Sequence, residues 1–421
     1  MVKDIQHISR LDVSLDLGDE VRPVGTLAWR ASERRSYFEY APAFLDNPLP
    51  LSPFALKVTA GAAAAPHTPF EGLHGLFNDS LPDGWGRKLL DRRLQRLGYD
   101  HQGLGPLDRL AYVGRGGMGA LTYRPERDLG VPQGGAIDLD WLADQADLVQ
   151  KDAPEADIDR LQANQGGSAG VRPKIVIGLD PATGLLLPDA NGGGDPAYVP
   201  HIVKFRADSD PVEIGAEEYA YSLMARAAGI DMPVTRLLKG ASGVGYFAAE
   251  RFDRGPNGRR HVQTLSGLLH ADHRIPSVDY GALLKVTRQL TRDERHVKQM
   301  FRRMVFNVLA RNRDDHAKNH AFLMDREGHW RPTPAYDITF STGPGGEHNL
   351  TIAGEGRSPG RTHIMAEAKA SGVRASDAEE AYEAVRAAVD RWPQFAAEAG
   401  LSGQRTRALD FSLNARGPAG V

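Results

Sequence analysis

One polar stretch, residues 311–320, follows directly on a strongly amphipathic segment and limits how this chain can fold. From about residue 293 to 311, apolar residues recur every three or four positions, so they share one face of a helix. That face is expected to be buried, and the helix ends where Asp314 and Asp315 begin. A buried helix that ends in a charged loop holds those charges rigidly.

The spacing of polar residues after this helix indicates a catalytic site. Asp314 is followed five positions later by Asn319, and Asp337 lies beyond a predicted hairpin at 321–331. Protein kinases use the same spacing for an acid that accepts a hydroxyl proton and for two magnesium ligands. The oxygens of Asn319 and Asp337 also suit Mg²⁺ that is bound together with phosphates. A solvated loop explains any one of these residues, but the three together favour catalysis.

Other chemistries fit this stretch less well. His316 and His320 are four positions apart, as in zinc enzymes, but Ala317 stands where their general-base glutamate would be. The sequence has no phosphate-binding P-loop motif and no G-x-S-x-G motif. A metal-dependent hydrolase built from Asp314, Asp315 and the histidines remains an alternative.

Composition narrows the class of protein. The 421 residues predict two or three domains, and the absence of Cys excludes disulfides and thiolate metal sites and favours the cytoplasm. With 51 basic and 54 acidic residues, a net charge of −3 argues against direct nucleic-acid binding, so any DNA contact is expected through a partner. No apolar run reaches the ~20 residues that span a bilayer, and the start lacks a signal-peptide core. A soluble protein is expected.

The first 255 residues are rich in strand patterns, and the rest are mostly helical. The breaker cluster at 255–258 is the predicted lobe boundary. Predicted domains are 1–135, 136–255 and 256–421. Strands are expected at 13–17, 24–29, 36–40, 120–123, 175–177, 201–205 and 246–253, and a loop at 60–69. Helices are expected at about 84–97 (with Asp83 as N-cap), 138–150, 213–228, 262–270, 279–290, 293–311 and 376–391, and the last ~15 residues are expected to be mobile.

Two glycine-rich segments have different interpretations. Residues 114–119 match G-x-G-x-x-G, but a strand follows rather than a helix, so a structural turn is predicted. Residues 166–174 lead into a strand with Arg172 and Lys174 at the exit, and such a loop can offer backbone N–H groups and charge to phosphates. Gly-rich turns are common, so the loop alone is weak support.

A lysine in an apolar strand pattern requires a partner. Lys204 ends the run His-Ile-Val-Lys-Phe, and burying an unpaired ammonium is expensive. Glu217 and Glu218, near the start of the next helix, are candidate partners, although a solvated first turn explains them equally well. An edge strand with Lys204 facing water is the alternative.

Six motifs in this order make the chain resemble the HipA family of serine/threonine kinases, the toxins of bacterial type II toxin–antitoxin pairs. The resemblance covers about residues 10–340, and its last two motifs are the most specific. The motifs are residues 78–86, residues 169–174, residues 201–205, residues 250–254, Asp314-x-His316-x-Lys318-Asn319, and Ala335-Tyr336-Asp337.

The resemblance implies roles for individual residues. Asp314 would be the catalytic base, Asn319 and Asp337 would hold Mg²⁺, and Lys204 would hold the ATP phosphates. Residues implied to contact ATP are Ala169, Gly170, Val171, Arg172, Pro173 and Lys174 along the phosphates, Glu250, Arg251 and Phe252 at the adenine, and His316, Lys318, Asn319, Tyr336 and Asp337 along the nucleotide.

The resemblance also implies a fold and partners. The fold would be α+β and two-lobed like a kinase, with an N-terminal α/β lobe, an extra β-rich subdomain and an all-α C-terminal lobe. The substrate would be a protein of translation, such as an aminoacyl-tRNA synthetase. A helix-turn-helix antitoxin would inhibit the chain, and any contact with DNA would be made by that antitoxin.

The glycine-rich loop departs from the family pattern. Many members carry an autophosphorylated serine where this chain has Gly167, whereas Ser168 follows one position later, and Arg172 replaces the commoner Gln. Ser168 is therefore a candidate autophosphorylation site, with a small loop residue as the alternative. The sequence predicts an ATP- and Mg²⁺-dependent protein kinase. A small-molecule phosphotransferase and a non-catalytic, antitoxin-binding co-repressor are the alternatives.

Overall fold

The computed structural model describes residues 5–128, 130, 137–166, 170–189, 197–255 and 258–414. Within these ranges most strands belong to two five-stranded antiparallel sheets, and half of the α-helices follow the second sheet. The architecture is mixed α and β, as predicted. No helix in the described ranges is both long and apolar enough to cross a membrane.

The first sheet lies within the first 124 residues. Its first strand alternates as a half-buried strand must, with Leu11, Val13 and Leu15 buried and Arg10 and Asp12 exposed. The strands, which pair in the order β4-β3-β2-β1-β5, are β1 (Arg10–Asp16), β2 (Val21–Arg30), β3 (Arg35–Tyr40), β4 (Ala62–Ala64) and β5 (Leu121–Arg124). The helices of this part are α1 (Pro42–Asp46), α2 (Gly75–Asn78), α3 (Gly84–Arg96) and α4 (Pro106–Val113).

The second sheet carries helices on both faces. Its strands pair in the order β7-β6-β8-β10-β9 and are β6 (Lys174–Leu179), β7 (Leu186–Pro188), β8 (Val199–Lys204), β9 (Thr235–Lys239) and β10 (Gly245–Glu250). The helices are α5 (Leu139–Gln150), α6 (Ile158–Ala163) and α7 (Ile214–Ala227). Because side chains alternate along β8, Val203 joins the core under α5, and Ile202 and Lys204 point to the opposite face.

The last part of the chain is helical around one small sheet. Two short strands, β11 (Arg254–Gly255) and β12 (Gly258–Arg259), come first, and the small sheet is β13 (His261–Thr264), β14 (Ala321–Met324) and β15 (Trp330–Pro332). The helices are α8 (Leu265–Leu269), α9 (Tyr280–Thr291), α10 (Glu294–Leu309), α11 (Arg361–Ala370), α12 (Ala375–Val389), α13 (Trp392–Glu398) and α14 (Gly403–Asn414), with a short 3-10 helix at Ala317–Asn319.

Two hydrophobic cores hold these parts. One core joins the first sheet to the helices of the last part, and the other fills the space between the second sheet and α3, α5 and α6. Helix α3 therefore belongs to the second core: Trp85 and Leu89 are buried in it, and Trp85 Nε1 donates to the carbonyl of Lys174 at 3.1 Å. Two basic residues of α3 bind carbonyls at the end of α5: Lys88 binds that of Gln150 (3.1 Å) and Arg92 that of Val149 (3.0 Å).

Most predicted elements are confirmed, and four predictions are wrong. The C-terminal lobe is not all-α, because the sheet of β13, β14 and β15 lies within it. The 60–69 segment contains β4, which pairs with β3. The helix predicted at 262–270 begins only at Leu265, because β13 pairs with β14 (His261 opposite Met324). Part of the predicted mobile tail is α14, which buries Leu409.

The predicted lobe boundary at 255–258 falls where β11 pairs with β12, with Gly255 opposite Gly258. Gly258 has a φ of +97°, and a Cβ there would lie 1.9 Å from the carbonyl oxygen of Leu17. Only glycine fits this close approach to the first sheet. The predicted structural turn at 114–119 lies between α4 and β5, where Arg254 donates to the carbonyls of Gly117 and Gly119, each at 2.8 Å.

Candidate active site

A cavity of about 450 Å³ lies between the second sheet and the helical part of the chain. Its walls include the face of β8 and β10 that is turned away from α5, the loop after α10, and the segment after β15. Most of the residues predicted for the site line this cavity: Gly170, Val171, Arg172, Lys174, Lys204, Glu250, Arg251, Phe252, Asp314, His316, Lys318, Asn319, Tyr336 and Asp337.

One described site residue, Pro173, is not in that lining. Pro173 is buried, and its carbonyl accepts a hydrogen bond from Phe205 N at 2.8 Å, so it acts within the sheet. Pro173 therefore does not line this cavity, although its neighbours Arg172 and Lys174 do. Ser168 and Ala169 lie outside the described residues.

Lys204 joins two carboxylates inside the cavity. Its Nζ contacts Glu218 of α7 and Asp337 of the segment after β15, and its side chain is only 12% exposed. The predicted need for an anionic partner is confirmed, and the exposed-edge alternative is wrong. Of the two candidate partners, Glu218 binds Lys204, whereas Glu217 binds Arg405 of α14 at 2.7 Å.

The charges around Lys204 stabilise one another. Burial alone would raise the pKa of Asp337, but Lys204 and Lys174 hold that pKa well below its usual value. Burial likewise opposes the charge on Lys204, yet Asp337 and Glu218 raise its pKa. Both groups are therefore ionised at neutral pH, and Asp337 is available as an anionic ligand.

Asp337 also has an uncommon backbone conformation, with a φ of +51°. Aspartate is among the few residues that tolerate the left-handed region, and strained residues concentrate at functional sites. The neighbouring Tyr336 donates its hydroxyl to the carbonyl of Lys318 at 2.6 Å. This bond ties the segment after β15 to the loop after α10.

The exit of the glycine-rich loop adds two cations to the cavity. Lys174 lies opposite Lys204 in the β6–β8 pair, and burial lowers the pKa of its ammonium. Gly170, with a φ of +114°, packs so closely that a Cβ there would lie 2.3 Å from Lys174 Nζ. Arg172 forms two hydrogen bonds with Asp210, at 2.9 and 3.0 Å. This part of the cavity is suited to an anion.

The two adjacent acids after α10 have opposite environments. The side chain of Asp314 is 53% exposed at the cavity mouth, 3.9 Å from His316 Nε2. Asp315 is buried and accepts hydrogen bonds from Tyr280 (2.7 Å), His348 (2.9 Å) and the backbone N–H of Asn349 (2.8 Å). Asp315 therefore fixes the loop, and Asp314 is free to contact a second molecule.

Asn319 is held next to this exposed acid. Its Nδ2 donates to the backbone carbonyl of Asp314 at 2.7 Å, which leaves its Oδ1 as an acceptor toward the cavity. An amide oxygen from Asn319 and a carboxylate from Asp337 form a donor set that Mg²⁺ prefers. The residues present therefore fit a magnesium ion.

A zinc site at His316 and His320 receives no support. The ring of His316 faces His273 at 5.6 Å, whereas the buried ring of His320 packs on Tyr280 at 5.8 Å. Among the described residues, the group of three or more acids and histidines whose ligand atoms converge is Asp325, Glu327 and His329, all exposed at the β14–β15 turn.

The strand exit after β10 forms another wall of the cavity. Arg251 is fully buried and binds Asp253 through two nitrogens, at 3.0 and 2.8 Å, so its guanidinium serves the fold. Phe252 packs on Tyr336 with ring centroids 5.6 Å apart. An apolar, aromatic surface of this kind suits a flat heterocycle.

Sequence reasoning missed three cavity residues. Asp79 accepts hydrogen bonds from the backbone N–H and the hydroxyl of Thr264, both at 2.8 Å, and burial raises its pKa to about 7. Asp83, treated only as an N-cap, binds Lys318 at 2.6 Å, and His273 faces His316. Both acids lie in the 78–86 motif, so that motif could have identified them from the sequence.

Comparison with known proteins agrees with this description. Residues 15–124 match the family model for the HipA N-terminal domain, and residues 166–392 match the model for the HipA-like C-terminal domain. A candidate kinase of Sinorhizobium fredii, Y4dM, is 26% identical over 337 residues, which cover 75% of this chain and 74% of Y4dM. The HipA chain of a Shewanella oneidensis HipA–HipB–operator DNA complex is 19% identical, with a TM-score of 0.67 over 96% of both chains, a likeness of fold.

Proposed function

The chain belongs to the HipA family, and from that premise we propose that it is an ATP- and Mg²⁺-dependent serine/threonine protein kinase. The observation that carries the proposal is the convergence of Asp314, Asn319, Asp337 and Lys204 on one cavity. These residues come from three separate elements, and together they supply a base, two oxygen ligands and a buried cation.

Lys204 and Lys174 would bind the nucleotide phosphates. Two ammonium groups on adjacent strands are a strong local positive charge, and charge-assisted hydrogen bonds to phosphate are about twice as strong as neutral ones. Glu218 holds Lys204 in position through their ion pair. The backbone N–H of the glycine-rich loop would add donors to the phosphates.

The oxygens of Asn319 and Asp337 would hold Mg²⁺. The lowered pKa of Asp337 keeps its carboxylate charged, and the bond from Asn319 Nδ2 to Asp314 orients the amide. When bound, the ion would offset the negative charge of the phosphates during transfer.

Asp314 would act as the general base. Its exposed carboxylate, beside a loop fixed by Asp315, can accept the proton of a serine or threonine hydroxyl that enters the cavity. The hydroxyl oxygen would attack the γ-phosphorus, and the bond to the ADP leaving group would break. Positioning by the fixed loop would supply much of the rate enhancement.

Adenine would occupy the apolar end of the cavity. Glu250, Arg251 and Phe252 line it at the strand exit, and Phe252 and Tyr336 offer an aromatic wall. Arg251 would contribute through its backbone and its buried pair with Asp253 rather than through a free charge.

The substrate and partner are the finer parts of the proposal. We expect a protein of translation, such as an aminoacyl-tRNA synthetase, as the acceptor, and a helix-turn-helix antitoxin as the inhibitor. The related HipA of Shewanella oneidensis is in complex with HipB and operator DNA. The net charge of −3 supports DNA contact through such a partner rather than directly.

A labelling experiment tests the proposal. The purified chain is incubated with Mg²⁺, ATP labelled on the γ-phosphate and a lysate of its own cells, and the Asp314→Asn variant serves as control. We expect label on serine or threonine of a protein with the unaltered chain only. Label confined to low-mass compounds would instead identify a small-molecule phosphotransferase, and no transfer at all would leave the non-catalytic co-repressor.

A further inference from the structure

Asp83 occupies the N-cap position of α3 but does not cap that helix. Its backbone is extended, as at other N-caps, yet its side chain accepts no hydrogen bond from the first turn. Asp138 and Asp279, at the same position of α5 and α9, each accept the expected bond, from Trp141 N at 3.1 Å and from Ala282 N at 2.7 Å. A residue that forgoes a favourable local bond is typically used elsewhere.

The carboxylate of Asp83 instead joins two loops of the cavity. One oxygen accepts from Lys318 Nζ at 2.6 Å, and the other accepts from the backbone N–H of Gly170 at 3.2 Å. Lys318 directly precedes Asn319 in the loop after α10, and Gly170 belongs to the glycine-rich loop. A single side chain from the first 135 residues therefore bridges two segments that lie far apart in sequence.

The ion pair is well shielded from water. The side chains of Lys318 and Asp83 are 8% and 21% exposed. Burial opposes the ionisation of Asp83, but Lys318 holds the pKa of its carboxyl below the usual value. Because screening is weak at such a site, the pair fixes Lys318 more firmly than a surface ion pair would.

Neighbouring contacts hold the same loop. Trp85 N donates to the carbonyl of Gly170 at 3.3 Å, and the Trp85 indole donates to the carbonyl of Lys174 at 3.1 Å. The first turn of α3 therefore binds the glycine-rich loop at both ends of residues 170–174. Asp83 binds the glycine-rich loop as Trp85 does, and it also contacts the loop after α10.

We propose that Asp83 is a positioning residue for phosphoryl transfer, which sets the glycine-rich loop and the Lys318–Asn319 segment in register with each other. The inference rests on the proposed kinase function. Asp83 acts through Lys318 and Gly170 rather than on the nucleotide. Replacing Asp83 would misalign the ATP phosphates relative to the general base. Because the replacement removes a negative charge beside those phosphates, it would not weaken ATP binding.

The kinetic test compares Asp83→Asn with Asp138→Asn, since Asn caps a helix as well as Asp does. The readout is hydrolysis of Mg–ATP by the full chain. For Asp83→Asn we expect kcat to fall roughly 10–100-fold, as small misplacements do, with little change in KM for ATP. Asp138→Asn should match the unaltered chain. An unchanged kcat for Asp83→Asn would overturn the proposal.

A double-mutant cycle with Lys318→Met separates positioning from general damage. Because Asp83 acts in part through Lys318, the double variant should lose less kcat than the two single-variant losses combined. Full additivity of the two losses would overturn the proposal.

Hydrogen exchange of the ligand-free chain provides a test that needs no activity. The amides of Gly170, Val171, Arg172 and Lys174 should exchange faster in Asp83→Asn than in the unaltered chain or in Asp138→Asn. Equal exchange would overturn the role of Asp83. If the unaltered chain neither hydrolyses Mg–ATP nor transfers phosphate to protein, the kinase proposal fails, and the exchange result still decides whether Asp83 holds the loop.

Discussion

Lys204 at the end of β8 and Asp337, 133 positions later, are joined by a direct contact between ammonium and carboxylate. Glu218 contacts the same ammonium from α7. One cation thus fixes the second sheet, its covering helix and the segment after β15 relative to one another. The geometry of the cavity depends on this charge.

Replacing Lys204 by Met should weaken both the fold and nucleotide binding. The buried Glu218 and the half-buried Asp337 would lose their shared counter-charge, and breaking a buried pair such as Lys204–Glu218 typically costs about 3–5 kcal/mol of unfolding free energy. Loss of a charge-assisted phosphate contact should reduce Mg–ATP affinity by roughly 1.5–3 kcal/mol. Calorimetric titration and urea unfolding measure the two effects. Unchanged ATP affinity in a folded variant would remove Lys204 from the nucleotide site.

Asp314→Asn should abolish phosphoryl transfer without affecting stability. The side chain is 53% exposed, so its replacement leaves the fold intact, whereas general-base catalysis contributes about 10²–10⁴ in rate. A radiometric kinase assay, with ATP binding measured in parallel, checks this. Activity within a few-fold of the unaltered chain would show that another group takes the proton.

The adjacent acid provides the matched control. Asp315→Asn should lower the free energy of unfolding by about 3 kcal/mol, because three buried donors lose a charged acceptor. The melting temperature should therefore fall for Asp315→Asn and stay constant for Asp314→Asn. The opposite pattern would contradict the assignment of the two acids.

Asp79 should make stability depend on pH near neutrality. Burial raises its pKa in the folded chain to about 7. Between the unfolded value of about 3.9 and this folded value, the native state keeps a proton that the unfolded state has released, so the free energy of unfolding falls as pH rises. Asp79→Asn removes this dependence.

The comparison of the two chains isolates the contribution of Asp79 from that of the histidines. From pH 5 to pH 8, Asp79→Asn should gain roughly 2–3 kcal/mol of stability relative to the unaltered chain. Urea unfolding at several pH values measures the difference. A constant difference across this range would mean that Asp79 is ionised throughout.

Ser168 remains a prediction, since it lies outside the described residues. A phosphate there would add about −1.5 to −2 charge next to the cations that we assign to ATP, and should expel the nucleotide. We expect slow autophosphorylation between molecules, longer-lasting activity in Ser168→Ala and poor ATP binding in Ser168→Asp. If mass spectrometry after long incubation with Mg–ATP finds Ser168 unmodified, control must come from a partner alone.

Much of the fold could be predicted because local patterns agree with it. The two-lobed, kinase-like α+β fold is confirmed, and the alternation in β1 and the apolar face of α10 appear in the structure. The failures come from long-range pairing. Residues 261–264 have a helical pattern, but they pair with β14 about 60 positions later, and tertiary context overrides local preference.

The cavity could be predicted only in part, because local chemistry does not identify partners that are distant in sequence. The chemistry of Lys204 required an anion, but the choice between Glu217 and Glu218 depended on Arg405, which is 188 positions away from Glu217. Asp83 was overlooked because N-capping already explained it. A local role that accounts for a residue hides a distant one.

The first sheet cannot complete its core until most of the chain has been synthesised. The carbonyl of Leu51, a fully buried residue, forms a hydrogen bond with the imidazole of His261, which follows 210 positions later. At about 5–20 residues per second, the ribosome needs roughly 10–40 s to deliver that partner. Meanwhile the apolar face of the sheet is open to chaperones and proteases. The amino-terminal half therefore keeps apolar, aggregation-prone surface exposed until the half that carries Asp314 has been synthesised.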